Sequence, residues 1–230
     1  MWVRGIVALI LAYLLGSIPF GLLIVRVRRG RDIRQWYSGR TGGTNVMRVA
    51  GFWAGLATAV TDISKAVLAV FCARWITDGG ICWEVGAGIL VVLGHNSSFF
   101  LLHKEDGKWV TGGGAGGGAA FGAAIGIWPP AGLIILPLEA LILFGIGYAS
   151  VTTMSIPLIA GIIFLIRASL GLAAWEYLIF ALGAELLIFW ALRPNLQRLA
   201  KGEERLVGWR ASRKIKRDAQ ESQQGSPPKN

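Results

Sequence analysis

The feature that most constrains this chain is the spacing of its charges. Apolar runs of roughly 17 to 25 residues, the length that crosses a bilayer, alternate with short charged stretches. Only 16% of the 230 residues are charged and 54% are hydrophobic, whereas a soluble domain runs at about 25% charged. The pattern predicts an all-α membrane protein, a bundle of about seven transmembrane helices. The spans fall at Ile6–Val25, Phe52–Trp75, Glu84–Leu102, Ala115–Trp128, Gly132–Ser150, Met154–Ala168 and Ala174–Leu192. The fourth is short and glycine-rich; without it there are six.

The net charge of +10 would suggest a nucleic-acid partner in a soluble protein. In a membrane protein it is explained by Lys and Arg retained on the cytoplasmic side and drawn to anionic lipid, so no nucleic acid is expected. With seven spans and the N-terminus outside, the inner loops hold Arg26, Arg28, Arg29, Arg31, Arg34, Arg40, Arg48, Lys104, Lys108 and the ten cations beyond Leu192. The outer segments hold only Arg4, Arg74 and Arg167. The C-terminus is therefore placed in the cytoplasm, in a cell membrane, with every motif-like segment on that face. The first span continues through Ser17-Ile18-Pro19-Phe20 without a small-residue cleavage site, which predicts a retained helix. The loops leave no room for a soluble domain, so residues 1–205 read as one transmembrane domain and residues 206–230 as a basic, disordered tail. Cys72 and Cys82 flank a short outer loop. A disulfide is geometrically possible there; two small buried apolar residues are the alternative expected, and no metal site is indicated. No internal repeat is visible, which argues against an inverted-repeat transporter.

Between the first two spans lies RDIRQWYSGRTGGTNVMR, Arg31 to Arg48. Its glycines can present backbone N–H groups in a concave nest, Ser38, Thr44 and Asn45 add neutral donors, and Arg40 and Arg48 add charge. That mixture suits a phosphate, whereas a loop made basic only to set topology needs no Gly-Gly-Thr-Asn. Asp62 and Lys65 stand one turn apart in the second span and must pair or face a polar cavity. His95 closes the third span, where an imidazole can act as a base, donate to phosphate, or only satisfy a helix end. The glycine run Gly112–Gly118 follows no strand, so it is no dinucleotide fingerprint; it lines a site or packs helices closely. After the last span, Asn195 and Arg198 share a helical face, Gly202 fits a helix C-terminus, and Glu204 can hold an arginine from another loop. The His-x4-Asp signature and a Gly-x-Ser-x-Gly elbow are both absent.

Four stretches together resemble the bacterial acyl-phosphate:glycerol-3-phosphate acyltransferase family. They are Leu15-Gly16-Ser17-Ile18-Pro19-Phe20-Gly21; Asp32-Ile33-Arg34 through Ser38-Gly39, Gly42-Gly43-Thr44-Asn45, Arg48 and Gly51; Gly94-His95 with Phe99-Phe100 and Lys108; and Asn195, Arg198-Leu199, Gly202 and Glu204. Asp62 and Lys65 fall where the family has Asp-x-x-Lys. The likeness covers about Leu11 to Glu204 and implies a small integral membrane enzyme. Its partners would be acyl phosphate, glycerol 3-phosphate and the bilayer, its product lysophosphatidate for phospholipid synthesis, and it would need no cofactor. Carried over, Ser38 and His95 are the catalytic residues. Arg40, Gly43, Thr44, Asn45, Arg48, Lys104, Lys108, Asn195, Arg198 and Glu204 bind substrate. This chain departs from the family pattern at Arg40 (Asn in the family), Gly43 (Ala), the longer Lys104–Trp109 segment, and Leu192 (His). An anion transporter, or a non-catalytic lipid-binding homologue using the same basic cleft, is the alternative class. Oligomeric state is not written in the sequence.

Overall fold

A computed structural model describes residues 1–213 and Arg217. Among them the architecture is all-helical apart from one small hairpin. In chain order the helices are α1 (Trp2–Ser17), α2 (Phe20–Arg29), α3 (Gly43–Ala50), α4 (Phe52–Ile76), α5 (Ile81–Asn96), α6 (Gly117–Ile127), α7 (Ala131–Ile146), α8 (Ala149–Ser169) and α9 (Tyr177–Ala200). Five helical segments are long and apolar enough to cross a bilayer: Trp2–Arg29 taken through its break, α4, Ile81–Leu101, α8 and α9. The helices α6 and α7 are apolar but hold only 11 and 16 residues. At about 1.5 Å per residue α6 covers about 16 Å, roughly half the hydrocarbon core. The expected fourth span is therefore present as a half-length helix.

The glycine run explains that shortness. Residues 112–115 are not helical, Gly116 turns the chain into α6 with left-handed backbone, and neighbouring backbone takes up polar groups of the first three glycines. Ser98 N–H donates to Gly112 O (2.9 Å), Thr41 N–H to Gly113 O (3.1 Å), and Gly114 N–H to His95 O (2.8 Å). Irregular backbone at membrane depth is tolerated only when buried in protein like this. Beyond it, α6 presents glycines to α4: a Cβ on Gly122 would lie 2.3 Å from Ile63 O, and one on Gly126 2.8 Å from Val70 Cβ. Close packing of helices through small residues thus operates beyond the run, at Gly122 and Gly126.

The first span is broken, not continuous. Proline disfavours helical backbone at the residue before it, and Ile18 accordingly takes an extended conformation that ends α1. The break leaves the Ser17 and Ile18 carbonyls outside the helical ladder. The Ser98 hydroxyl donates to the first and the Lys65 ammonium to the second, at 2.9 Å.

The hairpin pairs β1 (His103–Glu105) with β2 (Lys108–Val110), where a polar loop was expected. Asp106 and Gly107 both have positive φ (48° and 75°), as a two-residue hairpin turn requires; the Asp-Gly dipeptide was the signal for it. Cys72 and Cys82 are free, and Cys82 is exposed rather than buried because it lies in the first turn of α5. Most of the expected disordered tail lies outside the described residues. Its described beginning is ordered: Leu206 forms a β-bridge with Tyr148, and residues 208–213 are helical.

Candidate active site

The loop after α2 is locked by its own side chains before it reaches the site. Asp32 caps a 3₁₀ turn (Ile33–Gln35) by accepting from Arg34 N–H (3.0 Å), and its carboxylate holds the Arg34 guanidinium at 2.7 Å. That bond keeps the Asp32 carboxyl below its usual range and spends Arg34 on the loop itself. The buried Asn45 amide then ties the loop to α3, donating to Trp36 O (3.1 Å) and Arg40 O (2.8 Å). Both amide hydrogens are spent, which fixes Asn45 Oδ1 as a buried acceptor with no protein partner.

This loop opens onto a cavity of about 340 Å³. Ser38, Arg40, Gly43, Thr44, Asn45 and Arg48 line it from the loop and α3, Asp62 and His95 from α4 and α5, and Asn195 and Glu204 from the C-terminal side. The N-terminus of α3 lies among these residues, a position at which free N–H groups and the helix dipole favour an anion. Arg198 does not line the cavity. Its Nε donates to Glu204 Oε2 (3.1 Å) while Asn195 Nδ2 (2.7 Å) and Ser150 Oγ of α8 (3.4 Å) donate to Glu204 Oε1, so the arginine that Glu204 holds is from its own segment and not from another loop. Gly202, at φ +72°, turns the chain back to make this contact. Lys104 and Lys108 are also outside the cavity, exposed on the hairpin.

Burial holds the Arg40 guanidinium below its usual range; the Arg198 charge pushes the same way and Glu204 opposes it. Burial does the same to Arg48, with the Arg205 charge adding to it. Two cations short of counter-charge face one cavity, an arrangement that a phosphate dianion would relieve. Two departures from the family pattern meet here. Arg40 Nη2 donates to the Ala191 carbonyl, and Leu192, the next residue, lines the same cavity.

Behind the cavity lies a buried network on which His95 depends. The Lys65 ammonium has three donors and three acceptors: Asp62 Oδ1 (2.8 Å), His95 Nδ1 (3.1 Å) and Ile18 O (2.9 Å). Asp62 Oδ1 stands farther from His95 Nδ1, at 3.5 Å. An ammonium can only donate, so in the tautomer in which Nδ1 accepts from Lys65 the ring proton lies on Nε2. In this state His95 presents an N–H donor, not a base. The glycine run fixes the ring's other edge, since a Cβ on Gly114 would lie 2.0 Å from Nε2. Gly114→Ala is therefore expected to displace the imidazole and lower activity at least tenfold, with a stability loss of about 1–3 kcal/mol. Rates and thermal unfolding in detergent check this; unchanged rates would remove the ring's position from the account.

The sequence reading missed Ser150 and Thr153 of α8, which line the cavity; Thr153 was legible only as a loop residue. It also missed the Ile18 carbonyl, although the Ser-Ile-Pro sequence marked the break that frees it.

Comparison with known proteins decides the family. The glycerol-3-phosphate acyltransferase family profile matches residues 6–202. The chain belongs to this family. It is 38% identical over 204 residues to a glycerol-3-phosphate acyltransferase of Thermus thermophilus, covering 88% of this chain and 95% of that one. It is 34% identical to glycerol-3-phosphate acyltransferase 1 of Deinococcus radiodurans, covering 92% of this chain and all of the relative. Among solved structures it resembles PlsY, an integral membrane glycerol 3-phosphate acyltransferase, in its glycerol 3-phosphate form. The TM-score is 0.75 at 29% identity, over 89% of this chain and 96% of that one. The lysophosphatidic acid form of PlsY superposes with a TM-score of 0.72 at 28% identity, over 89% of this chain and 95% of that one. As a member of the glycerol-3-phosphate acyltransferase family, the chain is a multi-pass membrane protein.

Proposed function

We propose that this acyltransferase moves a fatty acyl group from an acyl phosphate to the 1-hydroxyl of glycerol 3-phosphate, giving lysophosphatidate for phospholipid synthesis. The observation that carries the reading is the cavity itself, in which two half-buried guanidiniums and the N-terminus of α3 meet an unpartnered buried acceptor and a fixed imidazole donor. Arg40, Arg48, Gly43 and Thr44 hold phosphate. Asn45 Oδ1 can only accept, so it takes a substrate hydroxyl. Asn195 and Glu204 form one wall of the cavity, and Arg198 holds Glu204 there from behind. Lys104 and Lys108, exposed on the hairpin, draw anions toward the mouth and do not grip them inside.

An acyl phosphate is already activated, so catalysis needs placement and charge stabilisation but no covalent enzyme intermediate. The glycerol hydroxyl oxygen attacks the acyl carbonyl carbon. The His95 Nε2–H and the Ser38 hydroxyl, beside the reacting atoms, donate to the developing oxyanion. The carbon–oxygen bond to the phosphate breaks, and the departing phosphate carries away the hydroxyl proton. In this reading all seven apolar helical segments are membrane segments, the N-terminus is outside, and the cavity opens to the cytoplasm. The excess of cations on that side supports the orientation.

Sealed vesicles carrying the protein test the reading against anion transport. Lysophosphatidate formation without phosphate flux is the expected result; flux without acyl product would overturn it.

A further inference from the structure

The end of the bundle opposite the cavity carries a second pocket, which the proposed reaction does not use. It encloses about 260 Å³ between Ile127, Trp128, Phe164, Arg167, Leu172 and Tyr177. Ser150 lines the cavity and Arg167 this pocket, and at 1.5 Å per residue α8 holds the two about 26 Å apart.

Arg167 is built into its place by the turn between α8 and α9. Leu172 N–H donates to Arg167 O (2.7 Å), and Arg167 Nη2 donates to Leu172 O (2.8 Å), so the turn clasps both the backbone and the head of the residue. Gly171, at φ +69°, lets the chain reverse there. The guanidinium carbon lies 4.0 Å from the centre of the Trp128 ring. Such stacking occupies a face of the guanidinium and leaves its N–H edge available. That edge is under-used. Among the described residues Nη2 makes the only hydrogen bond of the group, and Nε is buried with no protein partner.

Counter-charge is also missing. Asp78 binds Arg4 (2.9 Å), and Glu84 binds Arg74 (2.7 Å) while accepting from the Tyr177 hydroxyl (3.2 Å). Glu176, exposed ahead of α9, forms no ion pair among the described residues. Trp75 and Trp175, both exposed, stand at this end with Trp128, and such aromatic residues gather at the level of the headgroups. A phospholipid reaches a pocket at that depth from the bilayer itself. The free oxygens of its phosphodiester match the two-pronged guanidinium edge, and the Ile127, Phe164 and Leu172 walls suit its glycerol and first methylenes.

We propose that this pocket binds the phosphodiester of a membrane phospholipid, with the N–H edge of Arg167 as its ligand. The test needs no catalysis, so its failure and that of the proposed reaction are distinguishable. Full-length protein in dodecyl maltoside, a phosphate-free detergent, is mixed with phosphatidylglycerol bearing a photoactivatable diazirine on its headgroup glycerol. Labelled peptides are mapped after irradiation. The wild-type protein is expected to be labelled within residues 164–177. Unlabelled phosphatidylglycerol should suppress that label, whereas inorganic phosphate in about tenfold excess over it should not. Arg167→Gln should need roughly tenfold more lipid for the same labelling, and Arg167→Lys, which keeps the charge but not the fork, should fall between. No label in that segment of the wild-type protein would overturn the proposal whatever the variants do. Suppression by inorganic phosphate would overturn it too, as a site for the free ion, and so would equal labelling of wild type and folded Arg167→Gln.

Discussion

Lys65→Met is expected to destabilise the protein by roughly 3–5 kcal/mol and to abolish acyl transfer. Lys65 and Asp62 are both at least 95% buried, and the ammonium is the cation that neutralises the Asp62 carboxylate, with the His95 ring beside it. Removing it strands a buried carboxylate, frees the Ile18 carbonyl, and lets His95 Nδ1 turn to Asp62. The last change moves the ring proton from Nε2 to Nδ1 and converts the Nε2 donor into an acceptor. Thermal unfolding in detergent reads the first effect and initial rates the second. The double variant Asp62→Asn, Lys65→Met separates them: it should recover much of the stability, since no charge remains stranded, yet stay inactive because His95 is unanchored. Full activity in the double variant would show that the network only supports packing.

His95→Ala should reduce the rate by about 10²–10³, the usual cost of one oxyanion donor, with the fold retained. His95→Gln keeps an N–H donor at nearly the same reach and should be at least about tenfold more active than the alanine variant. A general base instead leaves both variants equally inactive, because an amide cannot accept a proton at working pH. Equal inactivity of both variants would restore the base assignment, and wild-type rates in both would remove His95 from the mechanism.

These two residues show how far the sequence could be read. Asp62 and Lys65, three apart in an apolar run, announced a pair because neither charge survives alone in hydrocarbon. Nothing in their spacing showed that His95, thirty residues on, would be the third member. That contact depends on α4 and α5 packing side by side and on the break at Pro19, whose freed carbonyl takes one of the three ammonium donors. Five of the seven expected spans were legible because hydropathy over a bilayer's width is a strong constraint. The half-length of α6 was less so, since an extended glycine chain and a glycine-rich helix look alike until their hydrogen-bond partners are known. Arg40 and Leu192 read as separate departures 152 positions apart. Only the folded chain brings the Arg40 guanidinium to the carbonyl beside Leu192. Lys108 read as a site residue from its motif, but the Asp106-Gly107 turn holds it out on the hairpin.

The most direct test of the account is donor choice. Purified protein in lipid is given glycerol 3-phosphate with either palmitoyl phosphate or palmitoyl-coenzyme A, and both lysophosphatidate and released phosphate are followed. The account predicts product from palmitoyl phosphate alone, with one phosphate released per lysophosphatidate. Product from the coenzyme A thioester, or phosphate release without lysophosphatidate, would contradict it.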